Sequence, residues 1–175
     1  MKKICMLALA TLALVACEGE KDPQTFPPTN EQITAEGSIA GENLHFAGTV
    51  SVSSPMSPTP YEEEVHFEFA GDVEDFVLYM HQTRFVAQMP KLDMRLREIG
   101  YTPAGEHSMQ FSVAGPITPQ ARMENEQGGG YSYQDKPEYA ITNLQGHITN
   151  TACEVSFTCM GAFHVAFTGR LFVEM

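Results

Sequence analysis

Residues 153–169 read CEVSFTCMGAFHVAFTG, and this stretch decides the fold class. Apolar side chains occupy every second position on both sides of Met160-Gly161-Ala162, with mostly polar ones between them. A period of two is typical of a β-strand with one face in the core and the other in water. A three-residue loop keeps apolar residues opposite one another, whereas a two-residue turn would place them opposite outward-facing residues. The predicted hairpin therefore pairs Cys159 with Phe163 and Cys153 with Gly169.

Cys153 and Cys159 lie on the same face of the first strand of this hairpin. An even number of cysteines in an oxidising compartment favours a disulfide. Six residues of extended strand, however, separate the two Cα atoms by about 20 Å, and a disulfide spans only roughly 4.4–6.8 Å. We therefore expect two buried thiols.

The same alternation recurs along most of the chain before the hairpin. It is clearest in residues 44–53, 65–69, 92–97 and 109–113, and no stretch has the period of an amphipathic helix. The predicted strands are 33–40, 44–54, 63–70, 75–87, 91–99, 106–114, 131–134, 138–149, 152–160 and 163–174. Short strands separated by Gly, Pro and acidic turns are typical of an antiparallel barrel or sandwich, and the short turns favour a barrel. Residues 54–62 and 116–137 are the predicted loops at its mouth.

The first seventeen residues have the layout of an export signal. Lys2 and Lys3 precede an uncharged, mostly apolar run over residues 4–16, and Cys17 follows it. A run of about 13 residues is too short to cross a bilayer as a helix and suits the apolar core of a secretory signal. The layout resembles bacterial lipoprotein precursors, which implies cleavage before Cys17 and acyl chains on that cysteine. The alternative is an ordinary secretory signal with an incidental cysteine.

The chain therefore divides into three predicted parts: a signal peptide at 1–16, a lipidated Cys17 with a flexible tether at 17–32, and a β-barrel domain at 33–175. The tether contains Pro27-Pro28 and several charges but no apolar period. Glu18, Glu20 and Asp22 resemble the export signal of surface lipoproteins in Bacteroidota. The predicted location is the cell envelope, as an outer-membrane lipoprotein on the periplasmic or the surface-exposed face.

The chain is strongly acidic, with a formal net charge of −12. Without residues 1–16 it has 8 basic and 22 acidic residues, a net charge of −14. This balance argues against nucleic acid as a partner and against attachment to anionic lipid by charge. The acyl chains on Cys17 are therefore the predicted contact with the membrane.

No pattern of residues predicts catalysis. The sequence has no Gly-x-Ser-x-Gly elbow, phosphate-binding glycine loop, His-Glu-x-x-His pair or Cys-x-x-Cys knuckle. We therefore expect no enzyme and no cofactor. The six histidines lie more than four residues apart, and at least three have the outward parity of their strands. No functional metal site is expected, although strands can bring distant histidines together.

Four segments resemble the small calycin-like lipoproteins of Bacteroidota, which have the shape of lipocalins. They are FAGTVSV at 46–52, FVLYM at 76–80 running into FVAQMP at 85–90, YAITNLQG at 139–146, and the closing hairpin with FTG at 167–169. The resemblance implies an all-β, antiparallel up-and-down barrel of about eight strands. It also implies binding of a small apolar ligand and supplies no catalytic residues. The ten strands predicted from the alternation exceed the eight of this family.

Two functions are consistent with these observations. The first is a lipid-anchored barrel that binds a small apolar or amphipathic ligand at an open end and catalyses nothing. Tyr131, Tyr133 and Tyr139 flank the second long loop, and Met94 lies on an inward face, so these four are the predicted ligand contacts. The alternative is a filled barrel that acts as an interaction or accessory subunit of a cell-envelope complex. An eight-stranded barrel is only just wide enough for either.

Overall fold

The structure is a computed structural model, and it describes residues 33–34, 36–39, 43–71, 74–125 and 128–172. The predictions for the signal peptide, for Cys17 and for the tether concern residues 1–32 and lie outside the described residues. The described residues form an antiparallel all-β fold, as predicted, with one 3-10 helix at Pro137–Tyr139 and no α-helix among them.

Eleven strands form one sheet in the described part of the chain. They are β1 (Leu44–Ser54), β2 (Ser57–Gly71), β3 (Asp75–Thr83), β4 (Leu92–Gly100), β5 (Thr102–Gly105), β6 (Ser108–Val113), β7 (Gln120–Glu124), β8 (Tyr131–Asp135), β9 (Ile141–Thr149), β10 (Ala152–Cys159) and β11 (Phe163–Leu171). Their order is β5-β6-β9-β10-β11-β1-β2-β3-β4-β7-β8. Two meanders, β1 to β4 and β9 to β11, lie side by side because β1 pairs with β11.

The sheet is curled into a half-barrel with its apolar side chains on the concave side. Gln82, Glu98 and Asn143 have positive φ angles of 49°, 59° and 52°, and they lie at shifts in the pairing register. Such bulges bend a strand and increase its twist. An isolated bridge between Ile117 and Ile141 links the chain before β7 to β9. The segment between β6 and β7 is therefore tied to the start of β9.

The prediction of about eight strands in simple up-and-down order is wrong, since the sheet has eleven strands and is not in sequence order. Two strands are absent from the prediction: β5, which is exposed along its length, and β7, where only Ala121 is buried. Neither strand has the alternation that identifies the others. Among the described residues of the predicted strand at 33–40, Ile33 and Ile39 form an isolated bridge.

The prediction of a mouth loop at residues 54–62 is wrong. β1 continues to Ser54 and β2 starts at Ser57, so only residues 55–56 form the turn. β3 pairs with β2 only from His66 to Gly71, which leaves the first half of β2 without a described strand on one side. Pro58 and Pro60 lie two residues apart in the strand, so their backbone nitrogens point to the same side of β2. An unpaired edge accommodates residues that lack an N–H group.

The closing hairpin has the predicted register, with Cys159 opposite Phe163 and Cys153 opposite Gly169. The cross-strand row that contains Cys153 and Gly169 continues into β1, where Gly48 lies opposite Gly169. A Cβ atom at Gly48 would lie 2.1 Å from the carbonyl oxygen of Thr168 and 2.5 Å from the Cα of Gly169. The close approach of β1 and β11 therefore depends on the absence of a side chain at Gly48.

Cys153 and Cys159 are free and buried, as expected from their spacing. Burial raises the pKa of the Cys159 thiol to about 12 and also raises the pKa of Cys153. Both thiols therefore remain protonated at neutral pH and pack as small apolar groups.

Large aromatic side chains fill the concave side of the sheet. The ring of Phe67 stacks on that of Phe167 with the centroids 4.0 Å apart. Phe69 contacts Phe46 and Phe76 edge to face, with centroid distances of 5.7 Å and 5.3 Å. All five rings are buried. The centre of the described fold is a packed core, which leaves its ends and its outer face as places for a ligand.

Candidate functional site

The curled sheet has two ends, and the N-terminal segment of the described chain packs on one of them. The backbone N–H of Ile39 donates to the Tyr101 hydroxyl at 3.2 Å, and His107 Nδ1 lies 2.7 Å from the carbonyl oxygen of Ile33. Tyr101 and His107 adjoin β5. The opposite end, called the far end below, consists of the β1–β2 turn, the β3–β4 connection and the β10–β11 turn.

A pocket of about 430 Å³ lies at the far end and is called the end pocket below. Val52, Phe85, Val86 and Phe163 contribute apolar walls, and Met56, whose exposed fraction is 77%, is also part of the lining. Small-molecule sites are mostly apolar cavities of roughly 300–1,000 Å³ with a few polar groups. The end pocket has the size and the apolar walls of such a site.

Polar side chains of the β1–β2 turn complete the lining. Ser54 Oγ accepts the backbone N–H of Met56 at 3.0 Å, and the Ser57 hydroxyl donates to the carbonyl oxygen of Thr59 at 2.8 Å. These bonds fix the shape of the turn. Gln88, on the β3–β4 connection, is exposed and has no hydrogen-bond partner among the described residues. Its amide is therefore available to a ligand.

An ionic cluster fixes one wall of the end pocket. Arg84 Nε donates to the Tyr61 hydroxyl at 2.7 Å and to Glu63 Oε2 at 3.1 Å. The Arg84 guanidinium also donates to the carbonyl oxygen of Ala87 at 3.1 Å, and Lys91 Nζ lies 2.6 Å from Glu63 Oε1. Tyr61 and Ala87 both line the pocket. The cluster therefore joins the β3–β4 connection to β2.

The Glu63 carboxylate is the centre of this cluster. Burial by itself raises the pKa of Glu63, but hydrogen bonds from Lys91, Tyr61 and Arg84 outweigh burial and lower the pKa from 4.5 to about 2. A carboxyl group with a lower pKa in the folded state stabilises the fold once it is ionised. The stabilisation is therefore complete above about pH 4.5 and is lost as the pH falls toward 2.

Glu63→Gln is expected to lower the free energy of unfolding by about 1–2 kcal/mol at pH 6, because it removes charge-assisted hydrogen bonds. The difference from the wild type should shrink between pH 4.5 and pH 2, where the wild-type carboxylate gains its proton. Urea unfolding at pH 6 and pH 3 measures both effects. Glu62→Gln changes the exposed neighbour and should stay within about 0.5 kcal/mol of the wild type. Equal stability of all three proteins at pH 6 contradicts this role of Glu63.

The structure does not bring the four predicted ligand contacts together. Met94 faces inward on β4, as its parity predicts, but only 1% of it is exposed and it belongs to the packed core. Tyr139 is half-buried in the 3-10 helix, and Tyr131 and Tyr133 lie on β8. None of the four lines the end pocket.

Tyr131 and Tyr133 contact cationic side chains instead. The guanidinium of Arg122 lies 4.3 Å from the ring centroid of Tyr131, and that of Arg95 lies 4.1 Å from the centroid of Tyr133. Tyr133 also contacts Tyr79 edge to face at 6.2 Å. These five side chains form an outer aromatic patch on β3, β4, β7 and β8. Exposed cation–π contacts of this kind stabilise by about 0.5–1 kcal/mol each.

Phe85, Val86 and Phe163 are not among the predicted ligand contacts, although they line the end pocket. The fourth predicted strand extends to residue 87, whereas β3 ends at Thr83 and the apolar run that follows lines the end pocket. The proline-rich residues 54–62 indicate the position of the pocket better, because Ser54, Thr59 and several neighbours line it. Most of this stretch is nevertheless strand rather than loop.

A larger groove of about 840 Å³ crosses the outer face of β6, β9, β10 and β11. Outward-facing polar side chains contribute to its lining, among them Gln110, Gln145, His147 and Glu154. The groove is open, so a small molecule in it would keep much of its contact with water. The end pocket, which is more enclosed and more apolar, is the better candidate for a small ligand.

As the side chains stand, no three His, Cys, Asp or Glu residues among those described surround a common metal position. None of the described residues belongs to a helix long and apolar enough to cross a membrane. The chain matches no protein-family model, no curated protein and no solved structure.

Proposed function

We propose that this chain is a calycin-like lipoprotein of the cell envelope that binds a small apolar or amphipathic ligand and catalyses no reaction. The signal-like residues 1–16 followed by Cys17 support anchoring in the outer membrane through acyl chains. The all-β half-barrel is compatible with the barrel that the resemblance implies. The proposal places the ligand in the end pocket rather than beside Tyr131, Tyr133, Tyr139 and Met94.

The observation that carries the proposal is the end pocket itself. Its walls of Val52, Phe85, Val86 and Phe163 are apolar, while Ser54 and Gln88 add polar groups to the lining. An apolar portion of a ligand gains about 25 cal/mol for each Å² of surface that it buries. A polar end of the same molecule would be solvated or bonded to Gln88. This combination favours an amphipathic molecule.

The position of the pocket also supports the proposal. Ile33 and Ile39 contact the fold at the end opposite the pocket, through His107 and Tyr101. With Cys17 in a membrane, the end pocket opens on the side of the domain away from the point where the tether enters. A ligand would therefore exchange with the aqueous compartment rather than directly with the bilayer.

The test uses the chain from Asp22 onward behind an ordinary cleavable secretory signal, which removes the lipidation site and the need for detergent. Native mass spectrometry of this protein, isolated from a bacterial envelope, should show a bound small molecule that is lost on denaturation. Val86→Trp should fill the pocket and weaken binding of the amphipathic probe 8-anilinonaphthalene-1-sulfonate at least tenfold, which corresponds to about 1.4 kcal/mol. Fluorescence titration measures the affinity.

Val77→Trp is the matched control, because Val77 is a half-buried valine on β3 that does not line the pocket. It should bind the probe as the wild type does. A bare protein mass together with equal probe affinity in the three proteins would overturn the assignment of the ligand to the end pocket.

An interaction subunit of an envelope complex is the second candidate. The outer aromatic patch favours it, because Tyr131 is 57% exposed and Tyr and Arg are enriched at the energetic centres of protein interfaces. A photo-crosslinking residue at position 131 that captures one defined envelope protein in cells would support this function.

A further inference from the structure

Three of the six histidines come together on the outer face of β1, β2 and β3. His45 lies opposite Glu68, and His66 lies opposite His81, in two neighbouring cross-strand rows. Directly opposed side chains start about 5 Å apart at their Cβ atoms. These four half-buried residues therefore form one compact group, called the histidine patch below.

Donor atoms in the histidine patch already lie in close pairs. His66 Nδ1 is 3.0 Å from His45 Nε2, and His81 Nε2 is 3.0 Å from Glu68 Oε2. The ring centroid of His45 lies 5.0 Å from that of His66 and 5.9 Å from that of His81. The two pairs therefore adjoin each other, with His45 within reach of both other imidazoles.

These spacings are close to those of a zinc site. Two ligand atoms at about 2.1 Å from a tetrahedral ion lie about 3.4 Å apart, and their imidazole centroids lie roughly 5 Å apart. The His45–His66 pair has this spacing, and the His45–His81 pair is less than about 1 Å wider. Binding of one ion by all three imidazoles therefore requires the His81 side chain to rotate from Glu68 toward His45, whose ring centroid lies 5.9 Å away.

Neighbouring residues hold the patch in place. Asn43 Nδ2 donates a hydrogen bond to Glu68 Oε1 and so orients the carboxylate. The ring of Phe172 packs against both His45 and His66, at centroid distances of 5.0 Å and 4.9 Å. In metal sites, hydrogen bonds to the ligands fix their orientation, and apolar neighbours limit the access of water.

We propose that the histidine patch binds one divalent transition-metal ion of the zinc type, with His45, His66 and His81 as nitrogen ligands and Glu68 as an oxygen ligand. Imidazoles with a carboxylate suit zinc, copper or nickel, whereas calcium and magnesium take mainly oxygen ligands. The bound ion links three adjacent strands. The site is independent of the proposed ligand function, because none of its residues lines the end pocket.

Isothermal titration calorimetry tests the site, with zinc chloride added to the metal-stripped, tag-free full chain at pH 7.5. One ion per chain with micromolar or tighter affinity is expected. His66→Ala should weaken binding at least tenfold, because it removes a ligand. His147→Ala removes an exposed histidine on β9 and should leave the affinity unchanged.

The imidazole resonances in the NMR spectrum provide a second readout that does not depend on a variant. Zinc should shift the resonances of His45, His66 and His81 and leave those of His107, His147 and His164 in place. His81→Gln replaces His66→Ala if the latter fails to fold. The proposal is overturned if no binding occurs up to 100 μM zinc, or if the patch variant and His147→Ala bind zinc equally well.

Discussion

Gly48→Ala is expected to lower the free energy of unfolding by about 3 kcal/mol or more, the upper range for overpacking a close-packed site. The new Cβ atom would lie 2.1 Å from the Thr168 carbonyl oxygen and 2.5 Å from the Gly169 Cα. Both are backbone atoms, so no side chain can rotate away to relieve the overlap. The substitution therefore forces β1 and β11 apart at the seam between the two meanders. Urea unfolding followed by circular dichroism measures the loss.

Gly115→Ala is the control for this substitution. Nothing lies within 4 Å of a Cβ atom at Gly115, and the residue is exposed. Its unfolding free energy should stay within about 0.5 kcal/mol of the wild type. If Gly48→Ala and Gly115→Ala unfold at the same urea concentration, then Gly48 is not needed for the approach of β1 to β11.

Phe67→Ala should be at least as damaging, with an expected loss in the free energy of unfolding of about 3–5 kcal/mol. Phe67 has no exposed surface and stacks on Phe167 with a centroid distance of 4.0 Å. Its removal leaves a cavity on the concave side, between strands from both halves of the sheet. The thermal midpoint and the urea midpoint should both fall.

Tyr131→Ala is the matched control, because it removes an aromatic ring of similar size that is 57% exposed. The expected loss is below about 1 kcal/mol, the value of one exposed cation–π contact with Arg122. A Phe67→Ala protein as stable as Tyr131→Ala would mean that the core has collapsed around the missing ring.

The strands that could be predicted are those with one face in the core. Cys153, Val155, Phe157 and Cys159 share a face, and a shift of one residue would move all of them into water. The register of this hairpin therefore follows from the sequence. β5 has no buried residue and β7 buries only Ala121, so neither leaves an alternating pattern to detect.

The candidate sites depend on contacts that a pattern of single strands does not contain. Met94 faces inward, as its position in the alternation predicts. The alternation of a strand cannot, however, distinguish a packed core from a cavity. The histidine patch requires the register of β1 against β2, which places His45 opposite Glu68. A predicted loop at 54–62 leaves that register undefined, because the length of the turn sets it.

The pairing of β1 with β11 also sets the order in which a newly made chain can fold. Gly48 meets Gly169 only after more than 100 further residues have been delivered. A chain that enters a compartment from its N-terminus therefore keeps one edge of β1 unpaired until almost the whole chain has passed. Truncation just before residue 163 would leave that edge open to strands of other molecules.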